Sequence, residues 1–86
     1  MKKGVAGSIE SNDVKITVEE SKKQEIKIES IVYEFYGKQI YQTIVDTLEE
    51  LGIKNIKVLV QDKGALDYTI KSRLITAIER MRDSDE

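Results

Sequence analysis

The sequence predicts an α+β fold: a small single domain, roughly β-β-α-β-α, with two helices on one face of a short sheet. Three observations carry this reading. Val14, Ile16 and Val18 alternate with Lys15, Thr17 and Glu19, the period-2 signature of a half-buried strand. Ile40, Ile44, Leu48 and Leu51 recur at helical spacing, one stripe of an amphipathic helix. The chain is 86 residues long, room for one domain and no second. A domain of this size buries only about 60–65% of its unfolded surface, so sheet and helix faces must both feed the core.

The elements follow in chain order. Residues 1–12 read as a flexible leader, mobile or loosely paired, because Gly4, Ala6, Gly7, Ser8, Ser11 and Asn12 are small or turn-forming. Val5 and Ile9 are the leader residues expected to touch the body. The α+β domain proper runs over 13–82. After the Val14 strand comes a polar connection at Ser21-Lys22-Lys23. Ile26 and Ile28 then alternate with Glu25, Lys27 and Glu29, which predicts a second strand and a hairpin with the first. Opposite charges on their outer faces would pair across the strands. Phe35 and Tyr36 are expected to pack near the start of the Ile40 helix, and Gly52 to stop it in the left-handed conformation. Ile56, Val58 and Val60 form the next strand, ending at Asp62-Lys63-Gly64.

Beyond that turn two readings compete. Leu66, Ile70, Leu74, Ile78 and Met81 make a helical stripe, whereas Leu66, Tyr68 and Ile70 also alternate with Asp67, Thr69 and Lys71 as a short strand would. The unbroken stripe favours a helix from Ala65 or Leu66 to Arg82, with Arg80 and Arg82 complementing its C-terminus. Residues 83–86 are a frayed acidic tail.

Composition excludes much. Fourteen Lys and Arg face 16 Asp and Glu, a net charge of −2, with no Cys, His or Pro. The balance argues against a nucleic-acid face, which needs clustered basic excess. Without Cys there are no disulfides, thiolate metal sites or cysteine nucleophiles. Without His the commonest general base and transition-metal ligand are gone. Apolar runs reach only two or three residues, so nothing spans a membrane, and no apolar stretch follows Met1-Lys2-Lys3 as a signal peptide would need. The chain reads as cytoplasmic and not an enzyme by itself.

Few residues are left to carry chemistry. Glu19-Glu20 and Glu49-Glu50 are adjacent pairs whose members point apart, as solvated surface does. Asp13, Asp62 and Asp67 sit around turns and helix starts, where carboxylates cap backbone. Tyr33, Tyr36, Tyr41 and Tyr68 read as core-edge residues with a hydroxyl in water. Lys63-Gly64 lacks the spacer and leading Gly of a phosphate loop. Ser8 and Ser11 remain. Neither has an activating base, yet an exposed serine suits modification by another enzyme, against the ordinary reading as turn serines.

Two segments resemble a known family. Val5-Ala6-Gly7-Ser8-Ile9-Glu10-Ser11-Asn12-Asp13-Val14 is similar to the N-terminal segment of the citrate lyase acyl carrier proteins, the gamma subunits. Val60-Gln61-Asp62-Lys63-Gly64-Ala65-Leu66-Asp67, followed by Lys71-Ser72-Arg73-Leu74, resembles that family's second signature. Each is weak alone, but in order and at this separation they are specific. The resemblance implies that Ser11 carries a phosphoribosyl-dephospho-CoA prosthetic group through a phosphodiester, attached by a dedicated transferase. It implies a non-catalytic carrier subunit, and composition and spacing likewise single out no catalytic residue and no metal ligand in this chain. The arm's thiol would hold acetyl and citryl thioesters, exchanged on the alpha subunit and cleaved to oxaloacetate on the beta subunit. Ser11-Asn12-Asp13-Val14 also satisfies the malonate decarboxylase carrier pattern, and the citramalate lyase carrier is closely similar. An unmodified protein-interaction module is the rival from another class. Asp62, Lys63, Gly64 and Asp67 read as a tight turn, or as an edge that docks larger subunits.

Overall fold

The computed structural model describes residues 2–84; the tail residues Asp85 and Glu86 lie outside the described residues. The elements are β1 (Lys3–Gly7), β2 (Val14–Glu20), β3 (Glu25–Ser30), α1 (Tyr33–Leu51), β4 (Ile56–Asp62) and α2 (Asp67–Arg82). The strands form one sheet in the order β1-β2-β4-β3. β2 is antiparallel to β1 and to β4, while β3 runs parallel to β4. Both helices lie on one sheet face, as expected. Val14, Ile16, Val18, Ile56, Val58 and Val60 point into the core to meet Ile44, Leu48, Ile70, Leu74 and Ile78.

The helices follow the sequence closely. α1 ends at Gly52 with φ 68°, where its N–H donates to Glu49 O and that of Ile53 to Leu48 O, a Schellman pair. The 65–82 segment is a helix from Asp67 and not a strand. Leu66 is its N-cap, exposed instead of forming the first rung of the stripe.

The strands depart from expectation in two places. β2 and β3 do not form a hairpin, because β4 lies between them. The centre of the sheet takes its most apolar strand, Ile-Lys-Val-Leu-Val, whose outward Leu59 is itself half-buried. The connection at 21–24 spans two inter-strand spacings, roughly 10 Å, within reach of four extended residues. The cross-strand charges therefore meet through a third strand, with Lys57 in register with Glu19 on one side and Glu25 on the other.

The second departure is β1. Within the span read as a leader, Lys3–Gly7 pairs with β2 from Lys3↔Glu19 to Gly7↔Lys15. Its inward residues are Gly4 and Ala6, not Val5 and Ile9. Gly4 lies so close to α2 that an added Cβ would run into the Ala77 carbonyl. The small residues that looked like a loop are those a strand needs to slide beneath a helix.

Candidate functional site

The topology gathers three connections at one pole. β3 and β4 run parallel, so their carboxyl ends lie side by side, and both helices start there. The antiparallel β1–β2 pair sends its own connection, residues 8–13, to the same pole, since Val14 pairs with Asp62. In open sheets the carboxyl ends of parallel strands are where ligands bind, because loops and helix N-termini converge on them.

Residues 10–13 form a turn closed by Asp13 N–H donating to Glu10 O at 3.1 Å, with Ser11 and Asn12 at its tip. Asn12 has φ 66°, a conformation its short polar side chain tolerates better than most. Two interactions brace the turn from outside. Asn12 N–H donates to Lys63 O (2.8 Å) and Lys63 N–H to Asp13 O (2.9 Å), extending the β2–β4 ladder past the strand ends. Arg73 reaches down from α2 and grips Asp13, with Nε to Oδ1 at 3.1 Å and Nη2 to Oδ2 at 3.4 Å. The Asp13 carboxylate also accepts the Ser8 hydroxyl (2.7 Å) and the Val14 N–H (2.7 Å). The Ser8 hydrogen bond foremost, then the Val14 N–H, with Arg73 adding to both, lower the Asp13 pKa from 3.8 to about 2. At neutral pH it is a fixed anion that organises the turn.

The two candidate serines differ. The Ser8 hydroxyl donates to Asp13 and accepts from Glu10 N–H (3.3 Å), so its proton and one lone pair are committed. Ser11 is exposed, and among the described residues nothing bonds its hydroxyl. It is presented outward by a turn that is held from behind.

The second motif is a turn built around a buried carboxylate. Asp62 is 2% exposed; its carboxylate accepts the Ser30 hydroxyl (2.7 Å) and the Ala65 N–H (2.9 Å), tying the end of β3 to the start of α2. Gly64 turns with φ 94° and faces the Asn12 side chain. Asp67, in the first turn of α2, accepts from Gln39 Nε2 at 2.7 Å. These residues hold the pole together, which is the tight-turn reading.

The aromatics lie further out than expected. Phe35, expected to pack near the start of α1, is 81% exposed, and Tyr36 and Tyr68, read as core-edge residues, are 52% and 72% exposed. With Ile9, Ile31, Tyr33 and Leu66, also exposed, they ring the pole that bears Ser11. Their helical positions were legible, but nothing in the spacing said that no element would cover them. The Arg73 clamp was also missed as a contact, although Arg73 stands in the second signature. Among the described residues no group of three or more acidic side chains could hold a metal ion, and no helix is long and apolar enough to cross a membrane.

Known proteins match this arrangement over nearly the whole chain. A family profile described as "ACP: Malonate decarboxylase delta subunit (MdcD)" covers residues 1–81. The citrate lyase acyl carrier protein of Streptococcus mutans is 50% identical over 78 residues, 88% of this chain and 76% of its own. That of Treponema denticola is 39% identical over 82 residues, 95% and 94% respectively. The chain belongs to the citrate lyase acyl carrier protein family. A solved Pseudomonas malonate decarboxylase hetero-tetramer, in complex with malonate, contains a chain with this fold. That likeness has TM-score 0.78 at 14% identity, covering 93% of this chain and 84% of that one. The fold places both sequence signatures at one pole.

Proposed function

We propose that this chain is the acyl carrier subunit of a citrate lyase, without catalytic residues of its own, working in the cytoplasm with the alpha and beta subunits of the complex. Ser11 carries the phosphoribosyl-dephospho-CoA arm, joined by a phosphodiester and installed by a separate transferase. The observation that carries this reading is the uncommitted Ser11 hydroxyl at the tip of a braced turn, beside a Ser8 hydroxyl that is already bonded.

The residues at the turn fit such an attachment. An exposed oxygen with no internal partner accepts a bulky phosphodiester without breaking any bond of the fold. The nearby carboxylate, Asp13, is paired to Arg73 and held ionised, so it stabilises the turn and is poorly suited to deprotonating Ser11. Activation of the hydroxyl therefore falls to the transferase. When bound, the arm supplies a thiol, which this Cys-free chain lacks, and a thioester both acidifies the adjacent carbon and leaves readily. The chain's own part is to anchor the arm at a defined point, so that one tether serves two active sites at high effective concentration.

Intact mass with peptide mapping, on protein from its native cell under citrate fermentation, tests the reading. A phosphoribosyl-dephospho-CoA adduct on the Ser11 peptide is the expected result, retained in Ser8→Ala and lost in Ser11→Ala. Unmodified protein would overturn it. The malonate decarboxylase carrier is a second reading, favoured by the family profile's description and the shared fold. The acid turned over by the complex separates the two: citrate cleaved to oxaloacetate for citrate lyase, malonate losing carbon dioxide for the alternative.

A further inference from the structure

A groove of about 520 Å³ opens beside the Ser11 turn, between the starts of α1 and α2. Tyr36, Ile40, Leu66 and Tyr68 give it apolar and aromatic walls, and Gln39 and Asp67 a polar side. It is continuous with the turn, because Lys63, which exchanges hydrogen bonds with Asn12 and Asp13, leads through Gly64 into its wall at Ala65 and Leu66. The fold does not need these rings where they are, since Tyr36 and Tyr68 are both more than half exposed. The polar side is one-sided in chemistry. Gln39 Nε2 donates to Asp67 Oδ2, which leaves Gln39 Oε1 and Asp67 Oδ1 as acceptors on that side of the groove. Aromatic faces beside open acceptors complement a planar heteroaromatic ring bearing an exocyclic amine.

We propose that this groove seats the adenine of the chain's own arm. The inference rests on attachment at Ser11, which puts the adenine only a phosphate and a pair of riboses from the hydroxyl. Tethering at that range holds the base near the groove at roughly millimolar effective concentration, so a weak stack suffices to populate it. The nucleoside end would lie along α1 and α2 while the pantetheine and its thiol extend from the protein, shortening the part of the arm that swings.

The test uses holo-protein whose adduct on Ser11 has first been verified by intact mass. Nuclear Overhauser contacts from adenine H2 and H8 to the Tyr36 and Tyr68 rings are expected, with both adenine signals shifted upfield from those of free dephospho-CoA. Tyr36→Ala and Tyr68→Ala should each lower the seated-to-free ratio about fivefold or more, the scale of one lost base–aromatic stack. Tyr36→Phe and Tyr68→Phe should preserve it. Adenine signals identical to those of free dephospho-CoA, on protein with the adduct in place, would overturn the inference and leave the attachment standing. An absent adduct would remove the attachment reading itself, and the groove's occupant with it. If the alanine variants leave the adenine signals unchanged yet block assembly with the larger subunits, the groove is a subunit-docking surface and the proposal is wrong.

Discussion

Two polar connections of this chain, residues 8–13 and 21–24, look alike in sequence and differ in how they are held. Both mix a serine with charged or amide residues, and both follow a strand. The first is braced by Arg73 from α2, by Lys63 from beyond β4 and by its own Ser8–Asp13 hydrogen bond. Within the second, only long bonds form, Ser21 Oγ to Glu25 at 3.4 Å and Lys23 N–H to Ser21 Oγ at 3.5 Å. One connection is anchored by distant parts of the chain; the other merely spans the sheet. Anchoring from distant elements, more than composition, separates a presented serine from a surface one.

The largest effect expected is functional. Ser11→Ala should abolish arm attachment and citrate cleavage by the reconstituted complex while changing stability by less than about 0.5 kcal/mol, because its side chain bonds nothing among the described residues. Ser21→Ala should leave both untouched. Loss of the fold in Ser11→Ala, seen by circular dichroism, would erase the distinction. Gly4→Ala comes next, since a methyl there collides with the α2 backbone at Ala77. It should destabilise the domain by about 1–3 kcal/mol in urea melts and detach β1, with its turn, first.

Arg73→Met tests the brace itself. It removes the guanidinium but keeps the stem, so the fold should persist while the transferase modifies Ser11 up to about a hundredfold more slowly, the scale for a reacting group misplaced by about 1 Å. No slowing would mean that the clamp serves only the fold. Acid should act at the same place. The Asp13 pKa is lowered to about 2 in the folded chain, so between its ordinary value near 4 and that point the unfolded state binds more protons. The stabilisation is complete above about pH 4 and fades as pH falls through 2. Carboxyl titration by carbon NMR checks the midpoint, and Asp13→Asn should flatten that limb of the acid-unfolding curve. The smallest effect belongs to the other connection: Lys22→Ala or Lys23→Ala should shift stability by under about 0.5 kcal/mol, because both side chains are exposed.

The contrast also shows what could be read from residues alone. The helices were legible because their apolar stripes answer to a single period, and Gly52 marked a stop that a Schellman pair realises. The β2–β3 hairpin was misread because alternation fixes a strand's face and not its neighbour; β4 is far along the chain, and only its Val-Leu-Val run hinted at a central place. β1 was hidden by Gly4 and Ala6, chosen for closeness to α2 and indistinguishable by composition from loop residues. Of the site, the two signatures were visible as strings. Their meeting through Arg73 and Lys63 is a tertiary fact that no local pattern encodes.

The place of β4 has a consequence for synthesis. Both strands it pairs with are made before it, so on the ribosome β2 and β3 wait with open edges until Asp62 has emerged. Only the β1–β2 pair can zip early, carrying Ser11 at its tip but without Lys63 or Arg73 to brace it. An enzyme that read the braced turn would therefore find it only after Arg73 of α2 had emerged and closed on Asp13.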